Sequence, residues 1–400
     1  MAHLHRLSVL LLFVALGCSD LPTGPLRSAT EEPQQRLHLA SPQAGAPQAP
    51  DAYIVVLRPE VRDVPAAAQA LAQAHGLGLG FIYQHALRGF SATIPAGRLQ
   101  ALARDARVLR IEPDYIATTM AQVLPWGVDR IDADLSSTQA GDGRGSVGID
   151  VYILDTGVSL HKDLNVAERV DFTGQGVDDK NGHGTHVAGT VAALDNSAYV
   201  VGVAPGARIR SFKVLGNNGS GQFSWIIAAV DEITRRKLAS PSTPMVANMS
   251  LGAKVGTTAY NSLDEAIVRS IQAGIVYCIA AGNSGEDASL YSPAHVVEAI
   301  TVGAYDANNQ FASFSNYGSI LDLQAPGVSI LSTWLRNRTH TLSGTSMATP
   351  HVTGSAALYL ARTPSASPQE VRNALVSAGK AWVVGVPSGT TNVSVYAGSY

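Results

Sequence analysis

The sequence predicts an α/β fold in which a parallel β-sheet is sandwiched by helices, preceded by a small α+β domain of ferredoxin-like arrangement. Two patterns predict this fold. Beyond Met120, short and nearly continuous apolar runs alternate with helical stretches, which is typical of parallel strands buried on both faces. Residues 52–119 instead follow the order β-α-β-β-α-β. Apolar residues make up 46% of the chain and charged residues only 15%, so a large core is available.

The small domain is predicted from its local patterns. A helix ends at Gly76, two strands alternate around a turn at Arg88-Gly89, and a second helix has Pro95 near its start. The predicted elements are strand 53–57, helix 64–76, strand pair 81–94, helix 95–106 and strand 108–117.

The larger domain, residues 121–400, is predicted as one α/β unit. Its buried strands are recognised by nearly continuous apolar runs, and helical stretches alternate with them. The predicted strands are 149–155, 207–215, 246–251, 275–281 and 299–304, and the predicted helices are 184–194, 224–237 and 263–274.

The N-terminus has the features of an export signal. A short segment with His3, His5 and Arg6 precedes the apolar run 7–16, which is too short to cross a bilayer. Residues 1–18 are therefore predicted to be a signal peptide. Residues 19–50, rich in Pro, Gln, Ala and Ser, are predicted to be a disordered linker.

The two cysteines give little basis for a disulfide. Cys18 fits a lipoprotein signal, which would anchor the precursor transiently through lipid. It fits equally an ordinary signal peptide with a chance cysteine, because Leu16 stands where a small residue is usual. Cys278 lies in an apolar run and is predicted to be a buried small hydrophobe.

The net charge of −3 and the lack of a basic run give no reason to expect nucleic-acid binding.

Four motifs place polar residues where strands end or helices begin. Catalytic and binding groups of open α/β sheets gather at the carboxyl ends of strands. Taken singly, each residue has a structural alternative as a turn-forming or helix-capping side chain. Together they favour an acid, a base, a nucleophile and an amide donor at one edge of the sheet. The residues are Asp155 in ILDTG, His183 in NGHGTHVAGT, Asn283 in AAGNSG and Ser346 in GTSMATPHVTG.

The spacing and order of these residues narrow the chemistry. His183 and His186 are three residues apart, which does not match the HExxH zinc motif. We predict His183, between glycines at a helix start, as the functional imidazole and His186 as a packed, hydrogen-bonded one. The chain order Asp, His, Ser differs from the Ser, acid, His order of α/β-hydrolases. After Ser346 the only histidine is His351, so an acid and a base do not follow the serine in the order that fold requires.

These motifs resemble those of the subtilisin-like serine proteases, the peptidase S8 family. PWGVDRID at 125–132 resembles the mature N-terminus of the proteinase K-like branch. The resemblance covers residues 121–395 and implies the subtilisin-like form of the predicted sheet. Residues 51–120 resemble the inhibitor I9-type propeptide of this family.

The resemblance implies a role for each motif residue. Ser346 would attack the scissile carbonyl, His183 would act as base and then acid, and Asp155 would orient His183. Asn283 and the Ser346 backbone N–H would receive the oxyanion. Small, uncharged substrate-binding walls predict broad specificity with an apolar or aromatic residue before the cut. These walls are formed by Gly219, Ser220, Gly221, Ser250, Leu251, Gly252, Ala280 and Ala281.

The resemblance also implies a structural calcium ion and no organic cofactor. Its expected ligands are the carbonyls of Val297 and Ala299 and the carboxylate of Asp322. The structural alternative is that Asp322 only caps a turn.

A secreted, monomeric enzyme that acts on proteins and peptides is expected. Its propeptide would act as an intramolecular inhibitor until self-cleavage near Met120. Two rival functions are an esterase or lipase, which the motif order opposes, and a catalytically silent binding protein, which would usually lack one of the catalytic residues.

Overall fold

The structure, a computed structural model, describes residues 48–115 and 122–400, which belong to two compact units. The predicted signal peptide, most of the predicted linker and the expected cleavage region around Met120 lie outside the described residues. Within the described ranges, no helix is long and apolar enough to cross a bilayer.

The first unit is a four-stranded antiparallel sheet in the order β2-β3-β1-β4. The predicted β-α-β-β-α-β order is confirmed. The Asp63 carboxylate caps the first helix by accepting from Ala66 N, and Gly76 ends it in the left-handed conformation with φ 63°. The elements are β1 (Gln48–Leu57), α1 (Val64–His75), β2 (Gly78–Tyr83), β3 (Gly89–Thr93), α2 (Leu99–Ala103) and β4 (Val108–Tyr115).

The first strand begins earlier than the sequence predicted. Residues 48–50 were assigned to the linker, but β1 starts at Gln48, whose backbone pairs with Tyr115. A register shift separates this pair from the one between Tyr53 and Pro113. Backbone pairing beyond a register shift does not require alternating apolar side chains. The sequence pattern therefore did not reveal the first residues of β1.

The second unit contains a seven-stranded parallel sheet in the order β13-β12-β10-β8-β5-β7-β6. The predicted α/β class is confirmed. Its elements are α3 (Trp126–Arg130), β5 (Asp150–Asp155), β6 (Val166–Asp171), α4 (His183–Ala192), β7 (Arg208–Lys213), α5 (Phe223–Ala239), β8 (Met245–Met249), β9 (Ala253–Lys254), α6 (Ser262–Gln272), β10 (Val276–Ala280), β11 (Tyr291–Ser292), β12 (Ile300–Tyr305), β13 (Leu323–Pro326), β14 (Ile330–Trp334), β15 (Arg338–Leu342), α7 (Thr345–Arg362) and α8 (Pro368–Ala378).

Both faces of this sheet are buried. Alternate side chains of β5 point to opposite faces, so Ile153 joins one apolar cluster and Leu154 the other. Helices α4 and α7 supply the first cluster, with residues such as Val187 and Val352. Helices α5 and α6 supply the second, with residues such as Ile233 and Ile267.

The edge strand β6 was missed from sequence. It pairs only with β7 in the sheet, and its side chains are half-buried or exposed rather than enclosed. Glu168 and Arg169 interrupt the apolar run there, and Glu168 forms ion pairs with Arg210 and Arg236. An edge strand tolerates such charged residues, so the criterion of continuous apolar runs did not detect it.

Candidate active site

The four motif residues lie where the predicted fold would bring them together. Asp155 is the last residue of β5, His183 is the first of α4, and Ser346 is the second of α7. Asn283 follows the end of β10 by three residues. Because parallel strands end at one edge of the sheet, these positions are close in space although they span the chain from 155 to 346.

Asp155 and His183 form a direct contact. The Nδ1 atom of His183 donates to Asp155 Oδ1 at 2.7 Å. The Asp155 side chain is fully buried, whereas 26% of the His183 side chain is exposed. Asp155 Oδ1 also accepts from Thr156 N at 2.7 Å, which fixes the carboxylate. The imidazole therefore has one nitrogen held by an acid and an exposed side available to a reactant.

The charge of Asp155 alters the acidity of this imidazole. Burial by itself would lower the pKa of His183, because it penalises the charged form. The negative charge of Asp155, its hydrogen bond and the charge of Asp179 oppose burial, and the net effect raises the pKa above its ordinary value near 6.5.

Asp179 holds the start of α4 and was not found from sequence. Its carboxylate accepts from the backbone N–H groups of Asn181, Gly182 and Thr185 at 2.8–3.0 Å. The Thr156 hydroxyl donates to Asp179 at 3.0 Å. Since Thr156 follows Asp155 directly, this network ties the end of β5 to the beginning of α4, and so fixes both partners of the acid–imidazole pair.

A buried lysine lies beside this network. Lys213, the last residue of β7, is fully buried, and its Nζ donates to the carbonyls of Thr156 and Leu215 at 2.6 and 2.9 Å. Burial lowers its pKa, although the charges of Asp179, Asp171 and Asp155 act in the opposite direction. Its positive charge offsets part of the negative charge collected at this edge of the sheet.

Ser346 contacts the end of strand β8. Its hydroxyl donates to the carbonyl of Ser250 at 3.2 Å, and the hydroxyl of Ser250 donates back to the carbonyl of Ser346 at 2.8 Å. Gly344 precedes α7 with φ 155°. The position of Ser346 in the first turn of α7 suits a group that develops negative charge, because helix N-termini favour anions.

The side chain of Asn283 is oriented by Thr345. Asn283 Oδ1 accepts from Thr345 N at 2.7 Å and from the Thr345 hydroxyl at 2.9 Å. With the oxygen held in this way, the amide nitrogen of Asn283 remains available as a donor next to Ser346.

His186 and Cys278 are buried, as predicted, and so is His351. His186 Nε2 contacts the carbonyls of Ile330 and His340, each at 3.0 Å, and burial lowers the pKa of His186 to about 3. His351 is fully buried in α7. Cys278 is fully buried in β10, where burial raises the pKa of its thiol to about 12. A thiol of that pKa is not a nucleophile.

A cleft of 340 Å³ joins the imidazole to the predicted substrate-binding segments. His183 lines it, together with the segment 219–221 and the segment 250–252 that follows β8. Phe223, Ile226 and Leu251 contribute apolar surface to it.

A second cavity, of 610 Å³, contains Ala280, Ala281 and Asn283. Its walls are not entirely uncharged, which corrects the description drawn from sequence. Glu286 lines it and is paired with Lys254 at 2.6 Å. The Tyr291 hydroxyl also donates to Glu286, at 2.7 Å. The charge of Glu286 is therefore already compensated within the protein.

The predicted calcium ligands do not form a suitable site. Asp322 Oδ1 accepts from two nitrogens of the Arg372 guanidinium, one of them at 2.8 Å, and Oδ2 accepts from Thr301 N at 2.8 Å. A calcium ion at Asp322 would lie beside the positive charge of Arg372, which disfavours a second cation there. This ion pair disfavours calcium at the predicted position of Val297, Ala299 and Asp322.

A different cluster of oxygen atoms fits a cation better. The carbonyls of Leu194, Ala198 and Val200 converge on Gln122 Nε2 at 2.5, 3.5 and 2.9 Å. Nearby, Asn196 Nδ2 donates to the Asp163 carboxylate at 2.7 Å. The described residues contain no group of three or more His, Cys, Asp or Glu side chains placed to bind a metal. Calcium, however, also takes carbonyl and amide oxygens.

This cluster was missed because backbone carbonyls leave no sequence signal. The only visible sign is the oxygen-rich loop DNS at 195–197 after α4. Burial raises the pKa of Asp163 to about 6, with hydrogen bonds from Asn196 and Val200 opposing the rise. A bound cation would stabilise its ionised form.

An acid–histidine pair at the edge of a parallel sheet, with a serine in the first turn of a helix at the same edge, is typical of serine hydrolases. The subtilase family model, Peptidase_S8, matches residues 146–393. The chain belongs to this family and is a subtilisin-like serine protease.

Several relatives support this assignment. The extracellular serine proteinase of Thermus sp. (strain Rt41A) is 40% identical over 400 residues, covering 91% of this chain and 92% of that protein. Subtilisin E of Bacillus subtilis (strain 168) is 41% identical over 294 residues, covering 72% and 74%. The crystal structure of a cold adapted subtilisin-like serine proteinase is similar with a TM-score of 0.59 at 38% identity, covering 68% of this chain and 98% of that one. The predicted family and subtilisin-like fold are confirmed.

Proposed function

We propose that the chain is a secreted serine endopeptidase that uses Asp155, His183 and Ser346 as its catalytic residues. The 2.7 Å contact between His183 Nδ1 and the buried Asp155 carboxylate supports this proposal most directly. A carboxylate in that position keeps the proton on Nδ1, so that Nε2 is the basic nitrogen.

The proposed reaction begins when the Ser346 hydroxyl leaves the Ser250 carbonyl and donates to His183 Nε2. Ser346 Oγ then attacks the scissile carbonyl as His183 takes its proton. The oxyanion is received by the amide of Asn283 and the backbone N–H of Ser346. His183 next protonates the leaving amine, and water releases the acyl group by the reverse sequence of proton transfers.

The raised pKa of His183 predicts the pH dependence of this reaction. His183 acts as a base only when neutral, so activity should increase as the pH rises through its pKa. We expect the acidic limb of kcat/KM against pH to have its midpoint above 6.5, because Asp155 and Asp179 favour the charged imidazole. Asp179→Asn, which removes one of these charges, should move the midpoint downward. A wild-type midpoint at or below 6.5 would contradict this assignment.

Substrate binding is proposed to occur as an added strand between segments 219–221 and 250–252, which both line the cleft that contains His183. The residue before the cut would enter the cavity lined by Ala280 and Ala281. Because Glu286 is compensated by Lys254 and Tyr291, we propose a preference for apolar or aromatic residues there, with broad tolerance.

A panel of fluorogenic peptides that differ only in the residue before the cut tests this function. Phe, Leu and Ala peptides should have a higher kcat/KM than Lys, Arg and Glu peptides. An ester substrate of the same acyl group separates a peptidase from an esterase. Ester cleavage without peptide cleavage would refute the proposal, and so would a strong preference for Arg or Lys. Cleavage of neither substrate would favour a binding protein.

Maturation is proposed to follow the pattern implied by the resemblance to the proteinase K-like branch. Residues 1–18 would direct export, and residues 51–120 would act as an intramolecular inhibitor of I9 type until self-cleavage near Met120. The confirmed β-α-β-β-α-β order of the first unit supports the propeptide assignment, and the extracellular serine proteinase among the relatives supports secretion. Lipidation of Cys18 would anchor only the precursor.

A structural calcium ion is proposed at the oxygen cluster rather than at Asp322. Asp163 and the carbonyls of Leu194, Ala198 and Val200 would hold it. Gln122 and Asn196 would join them by turning their side-chain amides, so that oxygen replaces the Nε2 and Nδ2 donors. The ion would tie the loop after α4 to the residues around Gln122, which stabilises the folded state without entering the chemistry.

Removal of calcium should therefore lower the melting temperature. Calcium at 100 times its Kd stabilises by about 2.7 kcal/mol, which corresponds to a fall of roughly 5–10 °C on chelation. Because the pKa of Asp163 is raised to about 6, the metal-free protein should lose stability as the pH rises from about 4 through 6, and calcium should reverse this loss.

Ser346→Ala protein is suitable for this measurement because it should not digest itself. Asp163→Asn should remove the effect of the chelator. Asp195→Asn should retain it, since the Asp195 carboxylate accepts backbone N–H groups of residues 143–145 instead. A melting temperature that chelator does not change would exclude the proposed ion.

A further inference from the structure

A line of hydrogen bonds runs from the interior of the sheet to Ser346. The hydroxyl of Thr353, which also lies 3.1 Å from Thr349 O, donates to Asn248 Oδ1 at 2.8 Å. Asn248 Nδ2 donates to the hydroxyl of Ser250 at 2.9 Å, and that hydroxyl donates to the carbonyl of Ser346 at 2.8 Å. We call Thr353, Asn248 and Ser250 the serine tether.

The tether exists because α7 cannot bond the carbonyl of Ser346 by itself. In an α-helix this carbonyl would accept from the N–H group four residues later. That residue is Pro350, which lies inside the helix and has no N–H. The hydroxyl of Ser250 takes the place of the missing donor. The carbonyl of Ser346 is therefore held at the end of β8 and not by a backbone N–H of α7.

The hydrogen bonds of the tether are buried, so they restrict the orientation of the side chains that form them. Thr353 and Asn248 are fully buried, and Ser250 is 3% exposed. Water does not compete readily at such positions, and a buried polar group that loses its partner is destabilising. Each donor in the line has its acceptor, so loss of the Thr353 hydroxyl would leave Asn248 Oδ1 without a donor and free to turn. Such a rotation would weaken the bond from Asn248 to Ser250, and thereby the hold on Ser346.

The position of Thr353 also fits this role. It lies seven residues, or about two turns, after Ser346 and so on the same side of α7. Asn248 belongs to β8, which lies between β5 and β10 in the sheet. The tether thus connects Ser346 to the interior strand next to the one that ends in Asp155. Its inner members, Asn248 and Thr353, are buried below the cleft.

We propose that Thr353 and Asn248 are positioning residues, which act through the side chain of Ser250 to hold Ser346 in register with His183 and the oxyanion donors. The inference rests on the proposed function, because it assumes that Ser346 is the nucleophile. It adds a role for the Ser250 side chain beyond the backbone contacts with substrate.

Thr353→Val tests the inner end of the tether with nearly unchanged volume. We expect kcat to fall by about three- to tenfold, the loss associated with one hydrogen bond that fixes a reacting group, while KM changes less than about twofold. The rate at which a sulfonyl fluoride labels Ser346 should fall by a similar factor. Ser355→Ala is the matched control, because its buried hydroxyl also bonds within α7, to His351 O at 3.0 Å, but lies outside the tether.

A double-mutant cycle tests the outer end. Ser250→Ala should lower kcat and the labelling rate at least as much as Thr353→Val, since it removes the donor to Ser346 O. Pro350→Ala supplies an N–H at the helical position for that carbonyl. The double variant Ser250→Ala/Pro350→Ala should therefore regain at least threefold in labelling rate over Ser250→Ala alone.

The outcomes separate positioning from stability. Restored labelling without restored melting temperature supports the tether. The inference is overturned if Thr353→Val lowers the melting temperature but matches Ser355→Ala in kcat and labelling, or if Pro350→Ala gives no recovery. A wild-type chain that is labelled at Ser346 but cleaves no peptide would refute the proposed function. The tether would then be tested by the labelling rates of wild type and variants alone.

Discussion

Replacing Ser346 with alanine should reduce peptide hydrolysis by about 10⁶-fold, a magnitude measured for loss of the nucleophile in subtilisin. The neighbouring hydroxyl of Ser250 is a poor substitute, because it donates to the carbonyl of residue 346 and is nearly buried. The proposed oxyanion donors and substrate-binding segments are unchanged in this variant, so substrate should still bind. Steady-state kinetics on the preferred peptide, with protein expressed in a protease-deficient host, measures the loss.

The same substitution should also stop maturation. If the precursor cuts itself near Met120, the purified Ser346→Ala protein should remain full length by intact mass, apart from removal of the signal peptide. Ser343→Ala is the matched control. Ser343 lies three residues before Ser346 and its hydroxyl accepts from Ser329 N, so its loss should not affect processing. Adding a trace of wild-type enzyme should convert the trapped precursor. Spontaneous appearance of the mature chain from pure variant would exclude self-processing.

The location of the site could be predicted from sequence because the fold itself brings strand ends together. Asp155 closes an apolar run and His183 opens a helix, and in a parallel sheet those two positions share an edge. The sequence supplied the residue types and their order. The 2.7 Å contact between them and the orientation of Asn283 by Thr345 are side-chain geometry, which is seen only in the folded structure.

Other parts of the site left no sequence pattern. Asp179 acts through backbone N–H groups of the loop before α4, and any turn-rich loop contains similar aspartates. Lys213 is a charged residue in a fully buried strand position, which its type would not suggest. Asp322 and Arg372 are 50 residues apart, so an ion pair that disfavours calcium at Asp322 was not visible in the sequence around Asp322.

Asn283→Leu should lower kcat by about 10²–10³-fold with little change in KM. The magnitude corresponds to about 2.7–4 kcal/mol and is that of the equivalent substitution in subtilisin. Leucine is close to asparagine in shape but has no donor. Since the oxyanion exists only after attack on the carbonyl, the loss should fall on the transition state rather than on substrate binding. Steady-state kinetics with the preferred peptide measures both constants.

The contacts of Asn283 allow donor loss to be separated from local disruption. Leucine also removes the acceptor for Thr345 N and its hydroxyl, so part of any effect could arise from a displaced Thr345. Asn283→Asp keeps that acceptor but places a negative charge beside the oxyanion. If donation is the function, the aspartate variant should be at least as slow as the leucine variant, whereas a purely structural role would leave it close to wild type. Ser284→Ala, next in the same loop, should retain wild-type kcat. Activity within about fivefold of wild type in both Asn283 variants would show that the oxyanion is stabilised by other groups.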